Sequence, residues 1–319
     1  MNKLEEINKR LQINNSVQNL IFIYTPSKVG STSLVTSLRI NLLPHYKIFH
    51  LHDEELLENS IKMKLGKIKI MDIIDYNQKL GKKIFVFDIY REPIEHRISL
   101  YFETLYDLHF NNTEENVKNY SLKLIIQRFH KIFPFLKMDD YFQKKFQIHF
   151  PNSFDFKKKY LLMEKNEVKY IKLRLKDSPY WNFILSSIFQ QPIFCVRDYE
   201  SKNKKIKNLF LSFYEIYKIP INYFHLIEND SSFLYYFNEK EQEEYLNKWK
   251  RKTSSLFFSF TTKEYQLYYT ICLENKFYTN FQKDHYIDEG CICKKCNIQR
   301  AKVLFLIKNK QYKNEKIVH

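Results

Sequence analysis

Leu20-Ile21-Phe22-Ile23-Tyr24 runs without interruption into Thr25-Pro26-Ser27-Lys28-Val29-Gly30-Ser31-Thr32-Ser33-Leu34. Five consecutive apolar residues suit a strand buried on both faces, the mark of a parallel sheet. Pro26 and Gly30 then signal a loop, and Ser31 to Leu43 reads as a helix opened by small hydroxyl residues and stopped near Pro44. A loop that leaves a buried strand and opens a helix offers backbone N–H groups and the positive end of the helix dipole. Gly30 lets such a backbone wrap closely around an oxyanion. Ser31, Thr32 and Ser33 add hydroxyl donors, and Lys28 adds a point charge. The stretch is not the G-x-x-x-x-G-K-[ST] nucleotide loop, because the Lys precedes the Gly and there is no first Gly. An ordinary turn with a Ser/Thr helix cap is the alternative reading of the same residues.

The pattern extends outward from this stretch. Residues 3–12 carry apolar positions 4, 7 and 11 at a helical period. Tyr46 to Leu51 and Ile84 to Ile89 read as strands, and Pro93 opens a helix through about His109. The first 110 residues therefore alternate strand and helix, as in a parallel α/β sheet. Residues 115–150 read as mostly helical, with further strands expected at Val168 to Leu175 and Ile193 to Val196. Helices are expected at 203–217, 239–251 and 262–277. No internal repeat is present.

The second informative stretch is Tyr90-Arg91-Glu92-Pro93-Ile94-Glu95-His96-Arg97-Ile98-Ser99-Leu100-Tyr101. Arg91 ends a strand, on the same sheet edge as the first loop if the two strands are parallel. Ser99 follows eight residues later on the next helix. Lys28-Val29-Gly30-Ser31-Thr32 followed by Arg91-Glu92-Pro93 and Ser99-Leu100-Tyr101 resembles the sulfotransferases that use 3′-phosphoadenosine-5′-phosphosulfate. The likeness is to carbohydrate sulfotransferases and to bacterial proteins ascribed to capsular polysaccharide synthesis. It covers roughly residues 1–110. Later, Phe194-Cys195-Val196-Arg197-Asp198-Tyr199 is loosely similar to a strand-end Arg–acid pair, and Asn247-Lys248-Trp249-Lys250 to an N-K-W signature. Two departures stand out. Ser27 separates Pro26 from Lys28, and His96 occupies the usual place of an Arg, with Arg97 one position on, a shift of about 100° around a helix.

The resemblance implies an α/β, three-layer fold like that of P-loop nucleotide-binding proteins, with a central parallel sheet and a largely helical second half. Residues 1–286 would form this domain and residues 287–319 a Cys- and Lys-rich tail. It implies sulfuryl transfer from the phosphosulfate co-substrate to a hydroxyl of a carbohydrate or surface polysaccharide, without a metal. Lys28, Gly30, Ser31, Thr32 and Ser33 would hold the 5′-phosphosulfate, with Lys28 also catalytic; Arg91 and Ser99 would clamp the 3′-phosphate. The reaction needs a base for the acceptor hydroxyl. The candidates are His45, His50, His52, Glu54 and Glu55. If 46–51 is a strand, His50 and His52 share a face at its C-terminal end, where ligands sit in open α/β sheets. His52 is the first choice and His50 the second.

Composition narrows the remaining classes. The chain has 319 residues with 52 Lys and Arg against 36 Asp and Glu, a net charge of +16. Such a balance suits an anionic partner, although A+T-rich coding also yields Lys, Asn, Phe and Tyr in abundance. Only 4 Gly and 8 Pro exclude collagen-like and Gly/Pro-rich chains. Apolar runs of about five residues are far short of the roughly 20 of a spanning helix, and the charged N-terminus does not read as a signal peptide. Five cysteines do not suggest a disulfide scaffold, so the expected location is the reducing cytoplasm. Cys291, Cys293 and Cys296, with His285 or Cys272, are the one metal-like spacing, and free thiols are the simpler reading. Trp249 reads as packing, and Tyr265, Tyr268 and Tyr269 as core or partner-facing. The rival functions are a nucleotide-binding phosphotransferase of similar fold and a non-catalytic basic protein that binds polyanions; nucleic acid is the less favoured partner.

Overall fold

The computed structural model describes residues 2–13, 16, 19–103, 105, 121–132, 140–197 and 206–257. The cysteine cluster with Cys272 and His285, the 262–277 helix with Tyr265, Tyr268 and Tyr269, the 287–319 tail, and Asp198 and Tyr199 lie outside these residues. In chain order the elements are α1 (Lys3–Arg10), β1 (Asn19–Tyr24), α2 (Ser31–Leu42), β2 (Tyr46–Leu51), α3 (Glu54–Ile61), α4 (Ile70–Lys79), β3 (Lys83–Tyr90), α5 (Pro93–Glu103) and α6 (Leu122–Ile132). Then follow α7 (Phe142–Phe146), β4 (Tyr160–Lys165), β5 (Val168–Arg174), α8 (Trp181–Phe189), α9 (Lys207–Ile216), β6 (Ile219–Pro220), α10 (Ile221–Glu228), α11 (Ser231–Tyr236), α12 (Glu239–Lys250) and β7 (Thr253–Ser254). They divide between two compact units. One comprises Met1–Glu92, Met138–Glu200 and Leu234–Asn238; the other comprises Pro93–Lys137, Ser201–Phe233 and Glu239–His319.

The first unit is built on a five-stranded sheet of order β2-β1-β3-β5-β4. Strands β2, β1, β3 and β5 are parallel, with Ile23 opposite His50 on one side and Phe87 on the other, and Tyr90 opposite Arg174. The fully parallel sheet expected from the sequence is corrected by β4, which pairs antiparallel with β5, Tyr160 opposite Leu173. Strand β4 alternates buried and exposed residues along its length, as an edge strand with one face to solvent does. By contrast β1 is buried from Leu20 to Tyr24 and β3 from Ile84 to Tyr90, the pattern of central strands.

Helix starts follow local chemistry. The Asn2 side chain accepts from Leu4 N–H while Glu5 returns to the Asn2 N–H, capping α1 on both sides. Asp53 caps α3 by accepting from Leu56 N–H at 2.7 Å. Several expected elements differ. The strand at 193–196 is absent, because Phe194 N–H donates to the Asn41 side chain and Val196 N–H to Ser37 Oγ, so α2 takes the donors a ladder would need. The expected helix from Pro93 is present through Glu103, with Leu105 also helical, and the expected 203–217 helix is present as Lys207–Ile216; residues 104, 106–109 and 203–205 lie outside the described residues. Among the described residues of 115–150 the helices are α6 and the short α7, after which the chain turns at Gln147, φ 49°.

The described residues of the second unit are mainly helical, with one short parallel pair among them, β6 and β7. Its interior is aromatic: Tyr101, Phe102, Phe129, Phe213, Tyr217 and Trp249 are buried, with Phe213 stacked on Tyr217 at 5.1 Å. Trp249 is enclosed, its indole N–H donating to Glu95 at 3.1 Å, which is a packing role. No helix among the described residues is long and apolar enough to cross a membrane.

Candidate functional site

The chain leaves β1 through α2 to reach β2 on one side, whereas β3 pairs with β1 on the other side and leads toward β5. The crevice beyond the C-terminal ends of β1 and β3 is thus the topological switch point, the usual ligand position in an open α/β sheet. Three segments meet there: the loop 25–30, the end of β3 with Arg91, and the end of β2 with His50 and His52.

Thr25 ties them together. Its N–H donates to the Leu51 carbonyl at 3.1 Å, its carbonyl accepts from His52 Nδ1 at 2.7 Å, and its hydroxyl accepts from Ile89 N–H at 3.1 Å. The same hydroxyl hydrogen-bonds the Asp88 carboxylate. The loop then turns through two left-handed residues, Lys28 at φ 64° and Gly30 at φ 85°. The left-handed turn favours glycine at position 30. Its φ disfavours a side chain, and a Cβ there would lie 2.5 Å from Leu175 Cδ1. The Arg91 guanidinium donates to the Lys28 carbonyl, which fixes the outer turn of the loop to the end of β3.

Helix α2 begins at Gly30 with no side-chain cap and no acidic residue in its first turn. Its positive dipole end is therefore not offset by a carboxylate of its own. Thr32 and Ser33 are half-buried in that turn, as are Lys28 in the loop and Arg91 beyond β3. Ser31 is buried, and its hydroxyl lies 2.9 Å from His50 Nε2. Burial, then the neighbouring His52 and Arg39, holds the His50 pKa down to about 4, so His50 is neutral at pH 7. His52 differs. A carbonyl can only accept, so its bond to Thr25 puts the proton on Nδ1 and leaves the Nε2 lone pair available. The two rings meet edge to face at 4.8 Å.

Lys28, Gly30, Ser31, Thr32, Ser33, Arg91, His50 and His52 all belong to this edge of the first unit. Ser99 belongs to the second unit, where it is buried on α5. On that helix His96 is buried and Arg97 half-buried. Glu54, a base candidate, accepts from the Tyr24 hydroxyl at 2.9 Å and pairs with Lys145. Burial works to raise its pKa, but the bonds from Lys145 and Tyr24 outweigh it and hold the carboxyl below its ordinary range. A group so engaged is a poor proton acceptor. His45 and Glu55 are exposed.

Sequence reasoning passed over the charged cluster beneath the edge. Lys172 on β5 donates to Asp88 on β3 at 2.6 Å and pairs with Asp140 at 3.1 Å, all three nearly excluded from solvent. Tyr236 donates to the other oxygen of Asp140 and stacks on Tyr90 at 4.4 Å. Burial lowers the Lys172 pKa, but the two carboxylates together outweigh it, so the ammonium is retained. The signal was present: Asp88 interrupts Phe85-Val86-Phe87, and Lys172 interrupts Tyr170-Ile171. A charge in a strand buried on both faces demands a partner.

Comparison of the chain with family models, with curated proteins and with solved structures finds no match in any of the three.

Proposed function

We propose that this chain is a sulfotransferase that moves a sulfuryl group from 3′-phosphoadenosine-5′-phosphosulfate to a hydroxyl of a carbohydrate. The observation that carries the reading is the loop between β1 and α2. Lys28, an uncapped helix start and Arg91 share one switch-point crevice, with Arg91 bonded to the loop backbone. A phosphosulfate at this loop would meet the α2 N–H groups and the Lys28 ammonium, and Arg91 would take the nucleotide's second phosphate. Ser99 is the residue the resemblance assigns to that same phosphate.

The co-substrate supplies the sulfuryl group when bound. The protein's tasks are to hold it, to stabilise charge on the departing phosphate, and to remove a proton from the acceptor. Lys28 and the α2 N-terminus serve the departing phosphate. His52 Nε2 takes the acceptor proton, and Thr25 holds the tautomer that leaves this lone pair exposed. His50, turned toward Ser31, steadies the first turn of α2.

The test is titration with adenosine 3′,5′-bisphosphate, read by thermal shift. A ligand at a hundred times its Kd adds about 2.7 kcal/mol of stability. Wild type is expected to gain it, Lys28→Ala and Arg91→Ala to lose most of it, and ATP to give none. His52→Ala keeps binding and loses turnover. Stabilisation by ATP alone points instead to a phosphotransferase. Salt-dependent polyanion binding without nucleotide binding points to a basic binding protein.

A further inference from the structure

The first unit contains a cavity of about 770 Å³ that the site described above does not use. It is walled by Glu54 of α3, by Lys67 and Lys69 between α3 and α4, and by Tyr141, Lys144 and Lys145 at α7. Its volume lies in the upper part of the range of small-molecule sites, about 300–1,000 Å³. Glu54 stands two residues after His52, so this wall begins within about 7 Å of chain from the proposed base.

The charges of the wall are unevenly satisfied. Every acid is engaged within the protein. Glu54 holds Tyr24 and Lys145. Glu58 holds the Lys64 ammonium and the Leu65 N–H, both at 2.8 Å. Asp72 accepts from the Lys69 backbone N–H at 2.8 Å. Of the lysines, Lys145 is taken up by Glu54, whereas the exposed side chains of Lys67, Lys69 and Lys144 make no ion pair among the described residues. The Tyr141 hydroxyl oxygen is closed off from solvent, so the residue lines the cavity with its ring. The cavity thus offers three ammonium groups, with Ile68 and Met71 also in its lining.

We infer that this cavity binds an oligosaccharide bearing carboxylates, and that this is the acceptor; the acceptor role, though not the binding, rests on the sulfotransferase reading. Ammonium groups from two segments of the chain, Lys67 and Lys69 in one and Lys144 in the other, suit charge repeated along a chain better than one compact anion. No arginine among the described residues lines the cavity, so it lacks the planar fork that favours bidentate phosphate. The half-buried side chains of Ile68 and Met71 and the Tyr141 ring would take the faces of the sugar rings.

The test uses a panel of tetrasaccharides built from uronic acids, each set beside its neutral counterpart, with binding measured by calorimetry without nucleotide. At low salt at least one uronate should bind about tenfold tighter than its neutral counterpart, and the advantage should shrink in 0.5 M salt. The triple variant Lys67→Gln/Lys69→Gln/Lys144→Gln should abolish the preference. These side chains are exposed, so its thermal midpoint serves as the folding control. Equal binding of neutral and acidic sugars, no binding by any member, or a preference that survives the triple variant would overturn the inference. Uronate binding without adenosine 3′,5′-bisphosphate binding would leave the cavity's ligand standing and remove its role as acceptor.

Discussion

The two units bury polar groups in opposite ways. In the first, charge is strung through the interior: Tyr236 to Asp140, Asp140 to Lys172, Lys172 to Asp88, and Asp88 through Thr25 to His52. The chain of bonds ends at the sheet edge that carries the candidate site. In the second unit one carboxylate gathers its donors. Glu95 accepts from Tyr245, Lys248, Trp249 and Tyr214 at 2.6–3.2 Å, around an aromatic interior. The first arrangement positions loops; the second locks helices α5, α9 and α12 together. Buried charge is costly unless fully paired, and a protein that retains a string of it at a loop cluster holds those loops in one arrangement.

The sharpest way to break this contrast is Lys172→Met. It leaves Asp88 and Asp140 buried without their cation and is expected to cost about 3–5 kcal/mol in urea unfolding. Because Asp88 reaches Thr25, the variant should also weaken adenosine 3′,5′-bisphosphate binding. A loss below 1 kcal/mol would show that the cluster is not the centre of the first unit. Glu95→Ala strips one acceptor from four donors, some of which reach water, and should cost about 2–3 kcal/mol. Glu95→Gln, which keeps an accepting oxygen, should cost less. If the two variants are equal, the carboxylate charge rather than its geometry organises the second unit.

The smallest effect is on pH. His50 in the first unit and His130 in the second both have folded pKa values held down to about 4 by burial, below the free value of 6.5. Between these limits the unfolded chain binds more protons than the native one, so stability rises with pH. The contribution is complete above pH 6.5 and is lost as pH falls through about 4. His50 is partly exposed, so its share is about 1 kcal/mol after solvent screening. The share of the fully enclosed His130 is larger. His50→Gln should flatten the stability profile of acid unfolding less than His130→Gln does. The reverse order would mean that the rim of the site is drier than the aromatic interior.

Much of the first unit was legible in the chain. Strands β1, β2 and β3 and helix α2 fall at or within two residues of their expected positions, because apolar runs, Gly30 and Pro44 act locally. Strand β4 was missed although Tyr160-Leu161-Leu162-Met163 is a continuous apolar run, because so short a run does not by itself separate a strand from a helix. The expected strand at Phe194 failed for a different reason: its donors are claimed by Asn41 and Ser37, more than 150 residues earlier. At the site, the Gly, Lys and Arg could be read from spacing. The cavity lysines could not, because Lys67, Lys69 and Lys144 are indistinguishable by sequence from the other lysines of a basic chain.

The sequence by itself determined the strand–loop–helix unit around Gly30, since φ preference, hydroxyl-rich helix starts and apolar runs are properties of neighbouring residues. Only the tertiary structure decided which histidine keeps a free lone pair, which carboxylates are consumed by internal bonds, and which cavity lysines make no ion pair among the described residues. Those depend on pairings across tens of residues, such as His52 with Thr25, Lys172 with Asp88, and Glu54 with Lys145, which exist only once the sheet has set their register.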